Sequence, residues 1–294
     1  MSTERPEPPD RNHPDVVAMR ARYAPHPAAA PSIWDSGYLA QDLDPARFRA
    51  DNVYLWQERD GNDQRALMLT SNYLAGRDRL GLFGRVFEDG AFGAETIVSG
   101  GRRVSRDLLD AINELLFLDA HVGLAGRTVV DIGAGYGRFA WHLTRAFDDV
   151  RVLATDAVAE STCLAAFYLA YRKASERAEV VPLDEAETRI AAARPTLATN
   201  MHSFTEMPLA ACRFWIGLMA KAGVAWFFVV PNADEHGGTL LQSFEADGTR
   251  LPIEPVMAEF GFERVFAGPK FEDTNVQRYG VSPTWYWLFK RSAD

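Results

Sequence analysis

Two cysteines in 294 residues, Cys163 and Cys212, are too few for a disulfide framework and make no Cys-x-x-Cys pair for a zinc knuckle. Both fall in helix-like stretches, and a reducing, cytoplasmic setting is expected. Positive charge is also in short supply: 31 Lys and Arg stand against 40 Asp and Glu, giving a formal net charge of −9 and a pI near 5.2. A field of that sign repels a phosphate backbone, so nucleic acid is not an expected partner. No stretch approaches the ~20 apolar residues of a membrane span. The first residues carry Pro6, Pro8, Pro9 and Pro14 among charges and hold no apolar signal core, so neither a membrane nor an export route is expected. Internal repeats are absent. Hydrophobic residues at 47% and charged residues at 24% nevertheless suffice for a sizeable core in one or two domains.

The sequence is most informative at Val129-Val130-Asp131-Ile132-Gly133-Ala134-Gly135-Tyr136-Gly137-Arg138. An apolar strand ends in an acid, and three alternating glycines follow. Such glycines let the backbone turn where a Cβ would forbid it and bring amides close to a ligand across the strand end. Thr128 to Ile132 reads as a buried strand and Arg138 to Leu143 opens a helical pattern, so the loop joins strand to helix. A second strand, Arg151 to Thr155, ends at Asp156, 19 residues beyond Gly137. An acid at about 20 residues suits the hydroxyls of a ribose, which points to an adenosine-bearing cofactor. The spacing is G-x-G-x-G rather than the G-x-G-x-x-G of a nicotinamide site, where a pyrophosphate sits on the helix N-terminus.

Around this loop the chain alternates strand and helix. Strands are expected at 128–132, 151–155, 178–182, 196–201 and 224–230, and helices at 137–147, 159–174, 184–193 and 207–222, with Gly223 as the C′ residue of the last. Phe262 to Ala267 and Thr284 to Arg291 read as two more strands joined without a crossover helix, so they should pair antiparallel. The fold class expected is α/β: a mostly parallel Rossmann-like sheet with one antiparallel strand at its C-terminal end, preceded by a mainly helical extension. Residues 1–30 read as a disordered tail and 31–125 as a helical lid or substrate region. In the latter, short helices and loops carry Trp34, Tyr38, Tyr54, Trp56, Tyr73 and Phe83, and a helix capped by Ser105 buries Leu108, Ile112, Leu115 and Leu116. Residues 126–294 form the cofactor domain, with a hairpin insertion at 233–253 turning at Asp247-Gly248.

The glycine loop resembles motif I of class I S-adenosylmethionine (SAM) dependent methyltransferases. Asn200, Ser203-Phe204 and Glu206-Met207 resemble the N-x-x-S-F-x-E-M stretch of a bacterial sugar O-methyltransferase family, whose members also carry a D-I-G-A-G-Y-G-R loop. That resemblance covers roughly residues 50 to 290. It implies SAM as cofactor, held by Asp131, Gly133, Ala134, Gly135, Gly137, Asp156, Ala157, Asp184 and Asn200. It also implies methyl transfer to a hydroxyl of a sugar, nucleotide sugar or glycosylated metabolite. A nitrogen or carbon acceptor, a SAM-binding regulatory protein without turnover and a nicotinamide oxidoreductase remain the alternatives.

A hydroxyl needs a base at hydrogen-bond distance, and His202, following the fourth strand, is the first candidate. It reads equally as a histidine bonded to backbone. Glu206 either orients His202 or holds a substrate hydroxyl, although Ser203-x-x-Glu206 also reads as a capping box that Pro208 disturbs. Asp184 reads as an adenine contact or as a helix cap. After the fifth strand, His236 is a second candidate base. With Asp234 it would suit a divalent cation such as Mg, though the same loop reads as a solvated turn and no metal ligand is assigned. Gln57, Arg102 and Arg138 are candidate contacts for the cofactor carboxylate or a substrate phosphate. The aromatics of the extension, with Trp285 and Tyr286, read as core or as an acceptor pocket, and a homo-oligomer is compatible with the chain.

Overall fold

The computed structural model describes residues 6–29, 34, 44–50, 64–233 and 240–292. Helix α1 (Pro14–Tyr23) has proline at its first position, the His13 ring accepting from Asp15 N–H at its start, and Arg20 and Arg22 in its last turn. Helix α2 (Gln64–Ala75) buries Leu67, Thr70, Ser71 and Leu74, one stripe at helical spacing. The short helix α3 (Leu82–Arg85) starts where the Asp78 carboxylate accepts from the Leu82 and Phe83 amides. Strands β1 (Ile97–Ser99) and β2 (Arg102–Val104) form an antiparallel hairpin. Gly100 and Gly101 turn it at φ of 56° and 77°, a pair of positive values that two residues with side chains would resist. Short helices and loops therefore do not exhaust the extension, and the Gly-Gly pair was the available signal. Helix α4 (Arg106–His121) begins as expected, the Ser105 hydroxyl accepting from Leu108 N–H.

The remaining elements alternate as strand β3 (Thr128–Ile132), helix α5 (Arg138–Ala146), strand β4 (Arg151–Thr155), helix α6 (Ala159–Tyr171), strand β5 (Ala178–Val180) and helix α7 (Ala186–Ala193). Then come strand β6 (Leu197–Met201), helix α8 (Leu209–Lys221), strand β7 (Trp226–Val230), helix α9 (Glu254–Glu259), strand β8 (Phe262–Pro269), helix α10 (Thr274–Tyr279) and strand β9 (Trp285–Arg291). The sheet order is β5-β4-β3-β6-β7-β9-β8, with β9 antiparallel to both neighbours. Six-residue α10 is too short for a crossover, so β8 and β9 pair directly. This is the expected α/β Rossmann-like sheet, mostly parallel with one reversed strand. Val129 packs with α4, α5 and α6 on one face, while Val130 and Ile132 pack with α7, α8 and α9 on the other. Strand order reverses between β3 and β6, the place where a sheet of this kind takes a ligand at the carboxyl ends of its strands.

Residues 14–29 correct the expectation of a disordered tail. Helix α1 lies on α6, Tyr23 and Ala28 are buried, and the Pro27–Ala29 turn meets α8. The apolar positions responsible, Val16, Met19 and Tyr23, are spaced for a helix and hidden among prolines and charges. Strand β7 starts two residues later than expected because Val224 N–H closes the end of α8 on Met219 C=O, with Gly223 at φ 82°. The insertion turns at Gly248, φ 82°, and keeps a bridge between Gln242 and Pro252 instead of a regular ladder. Among the described residues no helix is long and apolar enough to cross a membrane.

The extension is fastened to the sheet domain by buried charge. Arg49 pairs with Glu88 at 2.7 Å and Asp107 at 3.5 Å, Arg106 with Asp107 at 3.4 Å and Asp110 at 3.5 Å, and Lys270 also holds Asp110. Arg138 grips Glu114 through two bonds of 2.9 Å. Burial alone would raise the carboxyls of Glu88, Asp107 and Asp110, yet the neighbouring cations hold all three below the usual carboxylate range. Removing one partner strands the others in a dry interior. Arg49→Ala is expected to cost about 3–5 kcal/mol, measured by urea denaturation. A loss under about 1 kcal/mol, the range of exposed pairs, would show that the network does not carry the fold.

Candidate functional site

Each glycine of the loop has its own reason. All three adopt positive φ: 69° at Gly133, 56° at Gly135 and 87° at Gly137. A Cβ on Gly133 would lie 2.0 Å from Ser203 Oγ, and one on Gly137 would press Leu169 at 3.1 Å. A Cβ on Gly135 would meet nothing within 4 Å. Gly133 and Gly137 therefore serve internal packing, and Gly135 faces the open crevice. The amides of Gly133 and Ala134 donate to Thr155 C=O at 2.9 and 3.1 Å, which ties the loop to the end of β4.

Three carboxylates surround this loop. Asp131, at the end of β3, accepts from the Thr199 hydroxyl at 2.9 Å. Asp156, at the end of β4 beside half-buried Ala157, accepts from Gly135 N–H at 2.9 Å and Val158 N–H at 2.8 Å. Glu206 accepts from Trp34 Nε1 at 2.9 Å and Asn232 Nδ2 at 2.7 Å. Among the described residues none of the three pairs with a lysine or arginine. Burial pushes Asp131 and Asp156 up to about 7 and raises Glu206 as well, with the Glu206 charge adding to the rise of Asp156. This is the opposite of the compensated carboxylates of α4.

His202 follows β6 with φ 70° and ψ −41°, a conformation that costs a side-chain-bearing residue of order 1–3 kcal/mol. Its neighbours enforce it: His202 N–H donates to Val230 C=O at 2.6 Å, and His202 C=O accepts from the Thr205 amide and hydroxyl at 2.9 and 2.7 Å. Nδ1 of the ring is buried without a hydrogen-bond partner. Desolvation lowers the ring's pKa to about 3, with Arg138, Arg106 and Lys270 adding to the effect and Asp110 opposing it. The imidazole is thus neutral near pH 7, with a ring nitrogen free of protein bonds. The backbone-bonded reading of this histidine describes its main chain but not its ring.

Other expected site residues are engaged elsewhere. Asn200 is fully buried; its amide donates to Ile132 C=O at 3.0 Å and to Ser203 Oγ, and its carbonyl accepts from Phe204 N–H at 2.9 Å. It braces the β3 and β6 ends against each other. Asp184 is gripped by Arg22 through two bonds of 2.9 Å and caps no helix. Ser203 to Glu206 form a 3-10 turn, and α8 starts only after Pro208, so the capping box does not form and Glu206 points to Trp34 and Asn232. Arg138 belongs to the Glu114 pair, and Arg102 lies over the Phe83 ring. Tyr73 and Tyr286 pack as core, whereas Trp34 reaches the site. His236, Asp234, Gln57, Tyr38, Tyr54 and Trp56 fall outside the described residues. No cluster of three metal-ligating side chains occurs among the described residues. Thr205 and Asn232 were not read from sequence; both carry polar groups in the post-strand loops where a ligand crevice is expected, the one signal available.

No family model matches the chain, and no curated protein does. Solved structures with a similar course include magnesium protoporphyrin IX methyltransferase of Synechocystis PCC 6803, at 15% identity over 76% of this chain and 97% of that one, TM-score 0.42. Geranyl diphosphate C-methyltransferase of Streptomyces coelicolor A3(2) aligns at 14% identity over 63% and 81%, TM-score 0.44. A SAM-dependent methyltransferase of Aquifex aeolicus aligns at 14% over 61% and 89%, TM-score 0.43. Likeness of this degree lends the chain no substrate and no reaction. The fold stands on the sheet order.

The loop geometry separates two alanine substitutions. Gly135→Ala should cost only the left-handed strain, about 1–2 kcal/mol, while its methyl intrudes on the crevice. Gly133→Ala should cost more, because Ser203 and the Asn200 brace must also move. Thermal denaturation of the two variants side by side checks the order, and equal destabilisation would contradict it.

Proposed function

We propose that the protein is a SAM-dependent methyltransferase acting on a hydroxyl of a small acceptor, a sugar, nucleotide sugar or glycosylated metabolite, with His202 as general base. The observation that carries the donor is the set of buried carboxylates without cationic partners beside Gly135. A site of that charge favours a cationic ligand and disfavours a pyrophosphate, which would add two negative charges to three acids. When bound, SAM supplies a methyl group activated by its positively charged sulfur.

This chain's residues do the rest. The Gly135 backbone allows close approach. Asp156 uses two acceptor sites on Gly135 and Val158 and keeps others for ribose hydroxyls. Asp131 and Glu206 contribute negative charge, and Trp34 and Asn232 fix the Glu206 carboxylate. Neutral His202, held by Val230 and Thr205, offers its imidazole to an acceptor proton. Its low basicity suits a proton released late, from an oxygen that grows acidic as its new bond forms. The unpartnered ring nitrogen favours an enzyme over a binding protein without turnover. An oxygen acceptor is preferred to nitrogen because an amine would need no base once unprotonated.

A labelled-methyl transfer assay against nucleotide sugars and glycosylated metabolites, with and without magnesium, tests the reaction. Turnover on amines alone would sink the hydroxyl acceptor. His202→Asn is expected to lower kcat by roughly 10²-fold or more while leaving the affinity for S-adenosylhomocysteine within a factor of about three. Calorimetry with S-adenosylhomocysteine and NAD in parallel tests the donor, and preference for NAD would end the proposal.

The acids also set a pH dependence. With Asp131 and Asp156 near 7, both are largely neutral at pH 6 and ionised at pH 8, so a cation is held better as pH rises. SAM affinity should rise by about tenfold or more between pH 6 and 8, with proton release on binding in the acidic half of that range. Pairs of buffers with different ionisation heats measure the release. A pH-independent affinity would mean that these carboxylates do not face the cofactor's charge.

A further inference from the structure

Residues 14–29 cross the molecule at a chosen place. Helix α1 lies on α6, and the turn that follows it meets α8, where Ala28 is buried and the His26 ring stands edge-on to Phe214 at 5.0 Å. Since α6 and α8 pack on opposite faces of the sheet, the segment between them passes over the carboxyl edge. It does so at β4 and β5. The buried Tyr23 hydroxyl donates to Thr162 Oγ1 at 3.1 Å and accepts from Leu183 N–H at 2.9 Å, and Thr162 in turn reaches Asp156 C=O at 3.5 Å. Arg22 forks onto Asp184 and also reaches Glu185 at 3.1 Å, and Arg20 pairs with Glu160. Along the rest of its length α1 is held by apolar contact, with Val16 buried and Met19 Sδ 3.8 Å from Cys163 Sγ. Beside that contact opens a cleft of about 570 Å³, lined by Met19, Cys163 and Phe167 among others.

If Asp156 takes the ribose hydroxyls, the base lies further toward β5, because the crevice runs along the strand ends in that order. That is the ground the strap covers. We infer that residues 14–29 form a strap closing the nucleoside end of the cofactor crevice, with Tyr23 as its positioning residue and the Arg22–Asp184 fork as its latch. This inference rests on the cofactor reading above. Tyr23 fixes the Leu183 amide and the Thr162 hydroxyl at the edge of the nucleoside site, and the strap shields that end from water. The latch itself opens at little cost because its ion pairs are exposed, while the buried Val16, Tyr23 and Ala28 set the larger cost of lifting the whole segment.

The strap should therefore govern how fast the nucleoside leaves. The experiment uses the full chain and S-adenosylhomocysteine as probe, first by calorimetry and then by stopped-flow displacement. Arg22→Ala and Tyr23→Phe are expected to speed dissociation at least fivefold, with a weaker Kd. Arg22→Ala, at an exposed pair, should keep the thermal midpoint of the unliganded protein. In the wild type, the probe should slow trypsin cleavage after Arg20 and Arg22. Dissociation within twofold of wild type in both variants overturns the strap while leaving the cofactor reading intact. Tighter binding by the variants also overturns it, because the segment would then be a plug. A wild type that binds no S-adenosylhomocysteine but is folded overturns the cofactor reading, and the strap with it.

Discussion

Helix α4 presents Arg106, Asp107, Asp110 and Glu114 to the interior of the protein, and the rest of the structure is arranged to make that tolerable. Arg49 comes from the extension, Arg138 from the glycine loop and Lys270 from the end of β8, so three distant segments converge on one helix. Four cations meet four carboxylates there, counting Glu88, which lets the buried layer stay ionised without net charge. Such a layer is weak evidence for raw stability, since well-packed apolar groups can do as well. Its contribution is register. An apolar helix could slide or rotate on the sheet at small cost, whereas displacing α4 would strand several charges at once.

The same layer fixes the glycine loop. Tyr136 lies between two glycines, and its hydroxyl donates to Asp107 while accepting from Arg49 at 3.3 Å. Arg138 continues the grip one residue past Gly137. Tyr136 and Arg138 thus face the charge layer and the alternating glycines face inward contacts or the crevice, which explains the alternation better than cofactor approach alone. Only Gly135 is spared by both demands. The loop is rigid because its side chains are anchored, and open at the one position where nothing else needs room.

Much of this was legible in the chain. The alternation of strands and helices, the reversed last strand and the Ser105 cap follow from hydrophobic period and turn chemistry, which act locally. Three things did not follow. Charged residues on an apolar-striped helix read as a solvated face, so the burial of Asp107, Asp110 and Glu114 was invisible until their partners, 24 to 160 residues away, were in place. The Pro14–Tyr23 helix was masked by flanking prolines whose signal is turn-like. Asn200, within the fourth expected strand, and Asp184, just past the third, are cofactor contacts by resemblance, and each also has a protein partner that sequence position cannot reveal.

The contrast between compensated and uncompensated acids is what gives the crevice its character. Glu88, Asp107 and Asp110 sit within reach of guanidinium and ammonium groups and stay ionised. Among the described residues Asp131, Asp156 and Glu206 are held only by neutral donors: a hydroxyl, backbone amides, an indole and a side-chain amide. Folding alone had the means to neutralise them, since Arg106 and Arg138 are close enough to influence the region electrostatically. Instead those cations are committed to α4, and the nearby imidazole of His202 is kept neutral chiefly by burial, with the same positive charges adding to the effect. A protein that spends its cations on one layer and leaves the adjoining acids without any has built a place where positive charge is missing. The cofactor reading supplies that charge from the ligand.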